Sequence, residues 1–208
     1  MPRPMQYAAV LLALSLAGPL QAADYSDPEW PCLQRRVDSL SLGVMWPRPV
    51  PERDLDPALA AAAGDLVGRL ELRRIPVEET PQLIADFVAA HPDLTGDDMS
   101  LVFADLFTRM NRDRSKLIKG ITRYSLSQAK LAERIDETRV AMDAAMAKVG
   151  KTDADFDAID KMEEQIAWDE RIYQDRKQSL TYVCETPVLI EKRLFAIARE
   201  MDAAIPPE

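Results

Sequence analysis

The chain has 208 residues, 47% hydrophobic, 29% charged and 6% aromatic, and its 26 Lys+Arg against 35 Asp+Glu leave a net charge of −9. That is enough chain for one buried core, too apolar for disorder, and too acidic for a general binder of nucleic acid, which needs excess cations to displace counterions from phosphates. One histidine (His91) and two cysteines (Cys32 and Cys184) exclude multi-histidine zinc sites, four-cysteine clusters and covalent haem attachment, and no cofactor is expected.

Residues 1–22 read as a secretory signal peptide. Arg3 supplies the positive start, Tyr7 to Ala17 the apolar run, Gly18-Pro19 the break, and Ala22-Ala23 the small residues of a cleavage point. The run is too short to span a bilayer, so no stable membrane insertion is expected once it is removed. Export to the periplasm or exterior decides how the cysteines are read. Two lone cysteines in an oxidising compartment pair, and a Cys32–Cys184 disulfide is expected.

Residues 23–56 form an irregular arm, rich in proline, with room for one short helix. It carries the Trp-Pro pairs Trp30-Pro31 and Trp46-Pro47. Two large aromatics in such a segment either dock on the helices or bind a protein partner.

From residue 57 to 208 the pattern is all-α. Of 15 prolines, none falls between Asp93 and Thr186, and no window alternates like a strand. Helix starts carry a capping side chain followed by proline at Asp27-Pro28, Asp56-Pro57, Thr80-Pro81 and Thr186-Pro187. Thr95 with Asp98 and Thr152 with Asp155 are capping boxes. These marks predict helices over 57–73, 80–90, 96–149, 153–184 and 187–204.

A heptad runs from Phe103 through Phe107, Met110, Arg114, Leu117, Ile121, Tyr124 and Gln128 to Leu131, Ile135 and Met142. The second arm repeats it at Ile159, Met162, Ile166, Tyr173, Leu180 and Val183, with Asp169 and Arg176 interrupting. Gly150 and Thr152 leave only a short link, so the expected fold is a long antiparallel helical hairpin, coiled-coil-like, over about 96–184. Shorter helices pack at its base. A turn near residue 151 places residue i opposite about 302 − i.

Candidate chemistry is sparse. Any Ser-His-Asp or Cys-His arrangement would need His91, which sits before Pro92 where helices end. The glycines form no phosphate loop. Asp153, Asp155, Asp157 and Glu164 match calcium-loop positions one, three, five and twelve, but Ala158 stands where the loop needs glycine. The same acids suit a helix N-terminus. Met142 and Met146 have soft-metal spacing, yet Met142 also belongs to the seam. From Arg109 to Arg123 there are six bases against one acid, and from Glu133 to Arg171 twelve acids against six bases. The hairpin is therefore acidic at its tip and more basic at its foot. The expected protein is no enzyme. It is a non-catalytic exported hairpin acting as adaptor, spacer or assembly partner, open to homo-oligomer formation; the alternative is a small cation-binding protein using the acidic turn at 153–164.

Overall fold

The computed structural model describes residue 27 and residues 29–148 and 152–205. The expected signal peptide and the link around Gly150 lie outside the described residues. Every regular element among those described is helical: α1 (Leu42–Met45), α2 (Pro57–Leu70), a 3-10 turn (Val77–Glu79), α3 (Thr80–Ala90), α4 (Gly96–Met146) and α5 (Asp153–Ala203).

The two long helices start where the capping boxes stand. The Asp98 carboxylate accepts from the Thr95 amide at 3.1 Å and the Thr95 hydroxyl at 2.6 Å, and the Asp98 amide donates to Thr95 Oγ1 at 3.2 Å. Burial works against the Asp98 charge, but hydrogen bonds from Thr95 and Arg53 overcome it and hold the carboxyl below its usual range. At α5 the Asp155 carboxylate accepts from the Thr152 amide at 2.7 Å. Asp56 caps α2 by accepting from the Ala58 amide at 2.9 Å, with Pro57 at the first helical position.

Two expected starts and one expected cap are corrected, while the range 80–90 of α3 stands. Asp27 opens a turn rather than a helix, its carboxylate accepting from Glu29 N at 2.8 Å and its carbonyl from Trp30 N at 3.1 Å. Thr80 is the first residue of α3 rather than its cap, and its buried hydroxyl donates to Val77 O at 2.7 Å. The Thr186-Pro187 pair does not separate two helices, because α5 runs through it without a break. Pro187 cannot bond the carbonyl of Val183, but that residue is 40% exposed, so water reaches the turn, while Pro187 itself is buried. Ile190, Leu194, Ile197 and Met201 then fill the core from the same helix, and this burial outweighs the lost bond. The second helix of the expected pair at the base is thus the continuation of the hairpin's own arm. Helix α2 also stops at Leu70 rather than 73. The Arg193 guanidinium donates to the last helical carbonyl, Leu70 O, at 3.0 Å and to Ile75 O of the following loop at 2.7 Å.

The main core lies at the foot of the hairpin. There α2 and α3 pack on the first turns of α4 and the last turns of α5, around Val67, Leu70, Ile84, Met99, Phe103, Leu106, Leu194 and Ile197. Beyond it α4 and α5 continue as an antiparallel pair; at 51 residues each they extend roughly 75 Å. The expected register holds: Gln128 Nε2 donates to Tyr173 O at 3.1 Å, and Tyr124 Oη to Arg176 O at 3.4 Å. A small second cluster, Leu131, Ile135 and Ile166 with Met142 packed on it, seals the outer half.

The interruption at Asp169 is an ion pair. The residue is 2% exposed, and its carboxylate accepts from Arg134 at 2.7 and 3.0 Å and from Gln165 at 2.9 Å. The Arg134 hydrogen bonds, then that of Gln165, hold the Asp169 carboxyl below its ordinary value against the opposing effect of burial. A carboxyl whose folded pKa is depressed stabilises fully above its unfolded value, about 4, and the contribution is lost as pH falls through the folded value. Asp169→Asn is expected to cost about 1–2 kcal/mol at neutral pH. Chemical unfolding of both proteins at pH 7 and pH 3 checks this: the difference should shrink in acid, and an equal gap at both values would remove the ion pair as its cause.

Candidate functional site

Polar side chains of α4 clamp the middle of the arm. Arg114, in the α4 seam and 3% exposed, donates from Nη1 to Val37 O at 2.7 Å, and its Nη2 lies 3.5 Å from Glu191 of α5. Asn111 Oδ1 accepts from Leu40 N at 2.9 Å, Asn111 Nδ2 donates to Ser39 Oγ at 3.0 Å, and Ser115 Oγ donates to Asp38 O at 2.7 Å. Residues 37–40 are thus laid along one face of α4 by three side chains spaced at 111, 114 and 115.

Upstream of that clamp, Cys32 is bonded to Cys184 of α5, with Cα atoms 5.5 Å apart and a sequence separation of 152. The expected disulfide is present. Trp30, half-buried, sits inside the arm's own turn and donates from its indole to Gln34 O at 2.6 Å. The two tryptophans of the arm therefore part company. Trp46 belongs to the core: it is 2% exposed, stacks on Phe103 at 4.6 Å and 17°, and donates to Ser100 Oγ at 3.0 Å. Of the two uses expected of the arm's tryptophans, docking on the helices is the one seen for Trp46, and partner binding there is corrected because its buried side chain offers a partner no face.

Arm, α4 and α5 border a half-open cavity of about 530 Å³ beside the disulfide. Its walls include Leu33 and Gln34 from the arm, Ser125 and Gln128 from α4, and Tyr173 and Leu180 from α5. Asp27, Lys177 and Glu185 bring charge to it. Four buried side-chain polar atoms among the described residues lack a hydrogen-bond partner, and two of them, Gln34 Oε1 and Gln128 Oε1, belong to residues lining this space.

The other candidates disperse. Asp153, Asp155 and Asp157 open α5 as helix, and Glu164 lies three turns on, so the wrapped loop that a calcium site requires is not formed. Asp155 is drawn into the cap. Among the described residues no group of three or more His, Cys, Asp or Glu side chains is placed to hold a metal. His91 ends α3, its Nδ1 lying 2.7 Å from Phe87 O and its ring 4.6 Å from that of Phe87. Met142 packs on the outer cluster.

One residue escaped the sequence reading. Trp168 stands on the outward side of α5 with 61% of its surface exposed, next to the buried Asp169. The signal was available, since a tryptophan one position before a seam residue must turn away from the seam. No helix among the described residues is long and apolar enough to cross a membrane. No family model, no curated protein and no solved structure matches the chain.

The disulfide acts chiefly on the unfolded chain. For a loop of this length the chain-entropy estimate is about 4–5 kcal/mol. Reduction is expected to lower the melting temperature while far-UV circular dichroism keeps its helical amplitude, because neither the core nor the α4–α5 seam includes the bond. Loss of helix on reduction, followed at the two characteristic minima, would contradict that division.

Proposed function

We propose that this is a non-catalytic, exported helical-hairpin protein, resident in the periplasm or secreted, that works as an adaptor, spacer or assembly partner. The observation that carries the reading is Trp168. It is the one tryptophan the fold leaves largely in solvent, on the two-helix projection and away from the main core. Its chain neighbour Asp169 is buried and holds the guanidinium of Arg134. Tryptophan is among the residue types enriched where a few side chains dominate binding energy at protein interfaces. Val140 at 69% exposure and Phe156 at 52% extend apolar surface along the same projection.

The rest of the fold suits this role. A foot with its own core carries a long, narrow pair of helices that exposes side chains far from it. The disulfide suits an oxidising compartment. The acidic outer half and more basic foot give the projection a polarity that orients an approaching partner.

Trp168→Ala is expected to leave stability within about 0.5 kcal/mol, as surface substitutions do. In cells making the protein from its native source, crosslinking of the wild type should trap a discrete heteromeric adduct that the variant fails to form. An unchanged adduct in the variant, with equal melting temperatures, would overturn the assignment of Trp168 as the anchor.

A further inference from the structure

The cavity beneath the arm is built to receive hydrogen-bond donors. Gln128 is 7% exposed, and its amide nitrogen is committed to Tyr173 O at 3.1 Å. Reversing the amide would set oxygen against that carbonyl, so the orientation is fixed and Oε1 is the atom left unmet. Gln34, from the arm, also lines this space, and its amide oxygen is likewise without a partner. A buried acceptor without a donor is destabilising, a penalty that an incoming donor would relieve.

Charge points the same way. Asp27 and Glu185 line the cavity against one cation, Lys177, leaving its lining net negative. Leu33, Leu180 and the disulfide supply apolar wall. Amide oxygens and carboxylates with apolar surface between them suit one kind of ligand. A primary ammonium has three donors and no acceptor, and a hydrocarbon stem would lie along the leucines. The volume of about 530 Å³ falls among small-ligand sites.

We propose that the space between the arm, α4 and α5 is a binding site for a primary ammonium carried on an apolar stem. Gln128 and Gln34 accept from the ammonium, and Asp27 and Glu185 hold its charge. The stem belongs to a free alkylamine or to a lysine side chain of a peptide, since both present the same group. This site is independent of Trp168.

Calorimetric titration of the oxidised full chain tests it, with hexylamine, hexanol, hexanoate and the blocked tripeptide acetyl-Gly-Lys-Gly-amide as probes. Hexylamine should bind saturably and at least tenfold more tightly than hexanol, and hexanoate should not bind. A tripeptide tighter than hexylamine assigns the site to protein ligands, and a weaker one to free amines. Gln128→Leu should weaken hexylamine at least tenfold. Asp27→Asn, a change at an exposed residue that spares the fold, should weaken it severalfold and decides the matter if the Gln128 variant fails to fold. Equal affinity for amine and alcohol, no saturable binding, or undiminished binding by a folded variant would overturn the proposal and leave water as the partner of these oxygens.

Discussion

A single buried guanidinium joins the three parts of this molecule. Arg114 rises from the α4 seam, reaches the arm at Val37 O and faces Glu191 of α5, so that arm and both long helices meet at one side chain. The heptad assigns it an apolar position, and a charge there is costly unless its donors find acceptors. Only a chain laid across the seam can bring a backbone carbonyl to it, and the arm does so. Asn111 and Ser115, one turn before and one residue after, complete the clamp. The course of the arm, the position of Cys32 against α5 and the cavity between them all follow from this arrangement.

Polarity within the seam has a second consequence. Between the main core and the outer cluster, α4 buries Ser125 at 8% exposure and Gln128 at 7%, and farther out α5 buries Asp169. An all-apolar seam of this length would tolerate sliding by a heptad, since one leucine resembles another. Gln128 on Tyr173 O and Arg134 on Asp169 are pairings that a slip would break, leaving buried polar groups unmet. The polar interruptions thereby specify register where apolar contact alone is permissive.

Much of this was legible in residue order, for identifiable reasons. Asp56-Pro57, Thr95 with Asp98, and Thr152 with Asp155 act locally, so the starts of α2, α4 and α5 need no tertiary knowledge. The seam was legible at Phe103, Phe107, Met110, Ile121, Leu131 and Ile135. It was one residue off where Ile118 and Ser125 are buried in place of Leu117 and Tyr124. A strict seven-residue repeat drifts about 20° per heptad on a straight helix, and those two positions absorb the drift. Thr186-Pro187 misled because the same pair fits a first turn and an interior turn, and only the core beneath Ile190 and Leu194 decides between them. The cavity was not legible. Gln34 and Gln128 are far apart in sequence, and nothing local shows that the arm crosses α4 where it does.

The bond between Cys32 and Cys184 also makes the molecule, from the arm to the middle of α5, a closed covalent ring. The ring contains α1, α2, α3, all of α4 and the exposed outer half of the hairpin. A single backbone cut anywhere within it opens the ring without releasing either piece. The hairpin, the most exposed part of the protein, can therefore be nicked once while both halves stay attached to each other and to the core. Only a second cut within the ring, or a reductant, would let them part.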